Sequence, residues 1–264
     1  MKRSVVSLLL ITTLALPSFA QSNMADYWMN KGIALDNLGD YQGAAEAYRN
    51  ATRENPSAYM AWNNLGLDLL NLEMYNESIE AFEKVISIEP DFAWAAWNNI
   101  GLALAALGSH PQAIDAFNQS LEINPKNVKA WNNKGFSLLR FGQIVESIES
   151  FDEAIRLDPT ISTTWYYKGL ALLSLGNSRE SVAAFDNAVR IDPSFAMAWN
   201  YKGLALASIN QTQEAIEAFE NATIADPNYS EAWNNMGLML NAAGRYQDAV
   251  DAFDKAIAAN STMP

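Results

Sequence analysis

Residues 128–161 read VKAWNNKGFSLLRFGQIVESIESFDEAIRLDPTI, and residues 162–195, STTWYYKGLALLSLGNSRESVAAFDNAVRIDPSF, repeat their pattern 34 positions on. Trp131, Gly135, Ser147, Phe151 and Pro159 fall on Trp165, Gly169, Ser181, Phe185 and Pro193. Counted from the first residue of each stretch, positions 4, 7, 8 and 11 share one face of a helix at 100° per residue, and positions 20, 24, 27 and 28 share a face of a second. The spacing therefore predicts two amphipathic helices per unit. A glycine inside a helix costs about 1 kcal/mol against alanine, so the one at position 8 implies close approach by the paired helix, expected at its small position 20. Gly142 and Gly176, at position 15, suit the left-handed conformation that ends a helix. The Asp158-Pro159 pair disfavours helical geometry before the proline and ends the second helix.

The same frame extends in both directions. Tryptophans 28, 62, 97, 131, 165, 199 and 233 each precede by four residues a glycine at 32, 66, 101, 135, 169, 203 or 237. Sixteen residues after each glycine stands Tyr48, Phe82, Phe117, Phe151, Phe185, Phe219 or Phe253. Prolines 56, 90, 125, 159, 193 and 227 close every unit but the last. The units span 25–58, 59–92, 94–127, 128–161, 162–195, 196–229 and 230–259. Glu73 and Asn210 take the place of the position 15 glycine in the second and sixth, and one extra residue near Ala93 lengthens the connection into the third and adds Trp94. No shift in composition divides the array, so one uninterrupted stack is expected.

This pattern of tryptophan, glycine, small residue, aromatic and proline resembles the tetratricopeptide repeat family. The resemblance implies an all-α fold, an α-α superhelix (a TPR solenoid of antiparallel helix pairs) in which the first helix of each pair lines a concave groove. It also implies a protein or peptide partner.

Composition narrows the chemistry. Cysteine is absent and His110 is the single histidine, which removes thiolate metal sites, most zinc and haem ligation, and Ser-His-Asp catalysis. No enzyme activity, cofactor or metal is expected. His110 precedes Pro111 and reads as a solvated turn residue. Most acids fall on the second helices, an open surface unlike the pocket that a carboxylate glycosidase needs. The formal charge of -13 repels nucleic acid and anionic lipid.

The N-terminus carries Lys2 and Arg3, an apolar run from Val5 to Leu16, and then Pro17-Ser18-Phe19-Ala20. That is the layout of a secretory signal peptide, residues 1–20, cleaved after Ala20. The 12-residue apolar run falls short of a membrane-spanning helix. An exported protein is expected, extracellular, periplasmic or at the cell surface, with no membrane span after cleavage. Asn50, Asn76, Asn118, Asn210, Asn221, Asn228 and Asn260 each begin an N-glycosylation triplet.

Positions 5 and 6 point away from the predicted apolar face and are the candidate binding residues. Position 6 carries Asn30, Asn64, Asn99, Asn133, Tyr167, Tyr201 and Asn235; position 5 carries Met29, Asn63, Asn98, Asn132, Tyr166, Asn200 and Asn234. A carboxamide offers both donors and an acceptor, the complement of a peptide group, so a row of them can hold an extended backbone without reading its side chains. The row resembles the asparagine ladder in the repeat domain of O-linked N-acetylglucosamine transferase. Asn30, Asn64, Asn99, Asn133 and Asn235 match that ladder, and Tyr167 and Tyr201 depart from it. Among the outward residues at positions 2, 5, 6 and 9 only Lys129 is basic, which disfavours a carboxylate clamp. The lysines at position 7, Lys31, Lys134, Lys168 and Lys202, should lay their stems over apolar surface.

The function expected is thus a scaffold that holds an extended segment in its groove. The alternative is a self-assembling surface protein, a homo-oligomer stacked through the last helix around Val250, Phe253 and Ile257.

Overall fold

In a computed structural model, residues 18–261 are described, with side chains for 24–259. Among these residues there are fourteen α-helices, one short 3-10 helix and no strand, the all-α fold of the expected class. The expected signal peptide lies outside the described residues except for Ser18 to Ala20, which begin the first helix.

The chain divides into two compact units, Met1–Phe92 and Ala93–Pro264. This corrects the expectation of an uninterrupted array. The division falls at the single extra residue, where a 3-10 helix at Pro90–Phe92 ends the first unit and a helix starting at Ala93 opens the second. The first unit holds α1 (Ser18–Asp36), α2 (Tyr41–Glu54), α3 (Tyr59–Asn71) and α4 (Tyr75–Ile88). The second holds α5 (Ala93–Ala106), α6 (His110–Ile123), α7 (Val128–Phe141), α8 (Ile144–Leu157), α9 (Ser162–Ser174), α10 (Ser178–Ile191), α11 (Ala196–Ser208), α12 (Thr212–Ala225), α13 (Ser230–Ala242) and α14 (Tyr246–Ser261). In both units each helix packs on the next, and in the second unit α5, α7, α9, α11 and α13 also touch in succession.

Each pair closes on an aromatic ring. A Cβ added to Gly135 would stand 2.6 Å from Cε1 of Phe151, and one on Gly66 would stand 2.7 Å from that of Phe82. Both rings are fully buried. The approach that demands glycine is therefore made by position 24, not by the small position 20. Position 20 has another role: Ser78 Oγ donates to the Gly66 carbonyl at 2.7 Å, and Ser181 Oγ to that of Gly169 at 2.8 Å.

The turns follow their sequence signals. Gly142 (φ 91°) caps α7 in the left-handed region, and Glu73 and Asn210 are held at φ 61° in the equivalent places. Asp158 and Asp192 end α8 and α10 in extended geometry before their prolines. Each then turns the chain back: Asp158 Oδ1 accepts from Thr160 N at 2.9 Å, and Asp192 Oδ1 from Ser194 N at 3.0 Å. The next helix is tied to that turn by its tryptophan. Trp131 Nε1 donates to the Pro125 carbonyl at 2.9 Å, and Trp165 Nε1 to that of Pro159 at 3.0 Å.

Candidate functional site

The helices α5, α7, α9, α11 and α13 stand side by side in the second unit and form a wall on which positions 5 and 6 lie. Because these helices are close, position 5 of one meets position 6 of the next. Asn133 Nδ2 donates to Asn98 Oδ1 at 3.1 Å, and Asn235 Nδ2 to Asn200 Oδ1 at 3.0 Å. Asn98 in turn donates to Asn99 Oδ1 at 3.2 Å, while Asn200 donates to Tyr229 Oη at 3.2 Å and to Glu231 Oε1 at 3.3 Å.

In three repeats this corrects the outward placement of position 5. Asn98 is 7% exposed, Tyr166 7% and Asn200 0%. The helix period places these residues off the face that meets the paired helix, but it carries no information about a neighbouring repeat that covers them from the side. The amides are partly consumed in joining repeats, and the amino group of Asn99 and the side-chain carbonyl oxygens of Asn133 and Asn235 take no part in these bonds.

Between the two amide pairs the same positions become aromatic. Tyr166 meets Tyr201 edge-on with ring centroids 5.8 Å apart, and Phe195 at 4.9 Å. Tyr167 meets Phe136 at 5.1 Å and stacks on Phe151 at 6.2 Å; Tyr201 lies 6.2 Å from Phe185. The tyrosines at position 6 thus rest on the core aromatics of the preceding repeats. Burial pushes the Tyr166 hydroxyl well above its ordinary pKa, and burial with the Glu231 charge pushes Tyr229 up to about 12. Where the two chemistries meet, a group is stranded: Asn132 faces the place of Tyr167, which has no amide to offer, and its Oδ1 is buried without a partner.

Asn234 is exposed, in a cleft with Ser230, Glu231, Phe253, Ala256 and Ile257. In the first unit Asn30 is exposed, Met29 packs against the core, and Asn63 Nδ2 donates to Asn64 Oδ1 at 3.2 Å. Leucines and one phenylalanine flank the second unit's amides: Leu102, Phe136, Leu170 and Leu204 are half-buried, and Leu238 is exposed.

Profiles described as tetratricopeptide repeat match residues 29–91, 94–127, 116–149, 166–228 and 209–264. The chain belongs to the tetratricopeptide repeat family. It is 35% identical over 65 residues to an uncharacterized protein of Methanocaldococcus jannaschii, a match covering 25% of this chain and 76% of that one. Among solved structures it is similar to MamA at 26% identity and a TM-score of 0.59, over 61% of this chain and 95% of that one. Two further likenesses show the fold alone. YrrB, described as a TPR protein with an unusual peptide-binding site, shares 22% identity at a TM-score of 0.60, over 70% of this chain and 94% of its own. A tetratricopeptide repeat protein from Parabacteroides merdae shares 17% at a TM-score of 0.67, over 89% and 93%. Tetratricopeptide repeat proteins are interaction scaffolds that bind proteins or peptides, and this chain is of that class.

Within this tetratricopeptide repeat protein the position 7 lysines lie over their own tryptophans. The ammonium groups of Lys31, Lys134, Lys168 and Lys202 stand 5.0, 5.1, 5.7 and 4.9 Å from the ring centroids of Trp28, Trp131, Trp165 and Trp199. Lys202 also pairs with Asp186 at 2.6 Å, and Lys168 with Asp152. Burial holds Lys134 below the usual lysine range. The stems do cover apolar surface; the cation–π contact is the feature that sequence reasoning missed, although the Trp-x-x-Lys spacing carries it.

His110 begins α6 and is half-buried, with Nδ1 shielded from solvent, and so is not the solvated turn residue expected. Of the glycosylation triplets only those of Asn210 and Asn228 lie on turns; Asn50, Asn76, Asn118 and Asn221 lie within helices. Asn76, Asn210, Asn221 and Asn228 are exposed, and the side chain of Asn260 lies outside the described residues.

Proposed function

We propose that this protein is a non-catalytic, exported scaffold that holds an extended segment of another protein along the wall of α5, α7, α9, α11 and α13. The observation that carries this reading is the set of amide groups on Asn99, Asn133 and Asn235 that take no part in the amide-to-amide bonds, beside a row of apolar side chains that ends in exposed Leu238. Polar groups at fixed points can pair with a peptide backbone while the leucines take its apolar side chains. The tyrosine stretch lacks amides, so backbone capture there gives way to contact with ring edges. Export rests on the charged, apolar and small-residue succession of residues 1–20. It predicts a mature chain starting at Gln21, read by N-terminal sequencing of the fractionated protein. The triplets at Asn76, Asn210, Asn221 and Asn228 would then be open to glycan, where the secretory system adds it.

Panning a displayed random-peptide library against the full chain tests the wall. Leu204→Glu together with Leu238→Glu should abolish binding of the selected peptides while circular dichroism stays unchanged. Undiminished binding would remove the wall from consideration.

A second reading is favoured by one end of the second unit, where Val250 is 51% exposed and Ile257 69%. Stacking of copies through this face would give concentration-dependent mass in light scattering, suppressed by Val250→Asp with Ile257→Asp. A constant monomer mass excludes it.

A further inference from the structure

The first unit contains polar groups that the wall does not use. Tyr48 stands where the other six repeats have phenylalanine, and Asp68 stands where four repeats have Ala34, Ala103, Ala171 and Ala205. Both are sealed from solvent, Asp68 at 3% exposure. Tyr48 Oη, from α2, donates to Asp36 Oδ2, at the end of α1, at 2.6 Å. The Asp68 carboxyl, from α3, stands beside that of Asp36, and Asn64 of the same helix stands beside Tyr48. Asp36 Oδ1 and Asp68 Oδ2 are buried with no partner.

Two neighbouring carboxyl groups can bond to each other only when one of them carries a proton, since a carboxylate only accepts. Without a cation beside them they cannot both be ionised out of water except at large cost. Among the described residues no cation acts on Asp68. Arg49 and Arg53 of α2 line a different cleft, on the Leu65 and Leu69 side of α3, together with Glu77 and Glu80 of α4. The titratable groups that face Asp68 are Asp36 and, behind it, Tyr48.

We propose that Asp36, Tyr48 and Asp68 form a proton-dependent latch that fastens the helix pair α1–α2 to α3, closed while the Asp68 carboxyl is protonated and released when it ionises. Burial first, then the hydrogen bond to Asp36 and that residue's charge, push Asp68 up to about 8. The sign of the effect follows. In the released chain Asp68 ionises near the ordinary value of about 4, and in the closed state it keeps its proton to about 8. The closed state is therefore favoured most below about pH 4, loses that advantage as pH rises to about 8, and is constant above it.

Amide exchange of the full chain, followed by mass spectrometry, reads this directly when wild type is compared with Asp68→Asn at each pH. Asparagine still donates to Asp36 and does not titrate. The ratio of wild-type to variant exchange rates in α1 and α2 should rise by about tenfold per pH unit between about pH 5 and 8, then level. In α7 to α10 the ratio should stay at one. A ratio in α1 and α2 that does not change with pH overturns the latch. Should the variant fail to fold, carbon-13 titration of the Asp68 carboxyl in the wild type decides: a midpoint near 8 supports the proposal, and one near 4 overturns it.

Discussion

Asn133 Nδ2 donates to Asn98 Oδ1 at 3.1 Å across two successive repeats, and the same bond recurs between Asn235 and Asn200 at 3.0 Å. Side chains that the helix period assigns to a ligand thus also bind one repeat to the next. Between these bonds the relationship passes through an unmatched pair, Asn132 and Tyr167, and a purely aromatic one, Tyr166 and Tyr201. The wall is therefore not a uniform ladder. Its two ends are amide and its middle is aromatic, and any segment held along it meets different chemistry at each repeat.

Asn200 is fully buried and serves Asn235, Tyr229 and Glu231 together. Asn200→Ala should lower stability by about 1–3 kcal/mol, because it leaves buried partners unpaired. Urea unfolding measures the loss. A double-mutant cycle with Asn235→Ala should return a coupling of about 1 kcal/mol; additive effects would mean that the bond does not operate in solution.

Asn132 gives the opposite expectation. Its Oδ1 is buried without a partner, so Asn132→Leu removes a stranded acceptor and keeps the volume. The variant should be more stable by roughly 1 kcal/mol, seen as a higher Tm. A fall in Tm would show that this oxygen finds a donor, such as a water molecule, in solution.

The repeat, the helix pairs and their turns were legible because each rests on a local rule: periodicity, the residue before proline, and positive φ after a helix. The burial of Asn98, Tyr166 and Asn200 was not legible, since it is imposed by a neighbouring repeat that the helix period does not represent. The ring of position 24 as the reason for each glycine was hidden for the same cause: a spacing places both residues on facing sides without saying which atom arrives first. The division at Phe92 was visible as one extra residue, but its consequence depends on how a 3-10 turn at Pro90–Phe92 is accommodated. The Asp36 and Asp68 pair was present as two departures from the repeat pattern, and pattern averaging passes over departures.

Glu73 holds φ 61° where five repeats use glycine. A side chain in the left-handed region costs about 1–2 kcal/mol, and Asn210 bears it more easily because its short amide tolerates that conformation. Glu73→Gly should therefore raise stability by about 1 kcal/mol, and Asn210→Gly by less. Thermal unfolding of the two variants checks the order. An equal gain would mean that the left-handed turn strains glutamate and asparagine alike.

Gly135 tests whether the ring sets the pair spacing. A methyl group there would stand 2.6 Å from Phe151 Cε1, and the ring is fully buried, so the ring or the helix must move. Overpacking of this kind costs about 1–3 kcal/mol, against a gain of about 1 kcal/mol in helix propensity for alanine over glycine. The net expectation for Gly135→Ala is a loss of up to about 2 kcal/mol in urea unfolding. Trimming the ring should reverse the sign: in a Phe151→Leu background the methyl group no longer meets Cε1, and Gly135→Ala should become neutral or stabilising. A loss of the same size in both backgrounds would mean that the glycine answers to something other than the aromatic ring it faces.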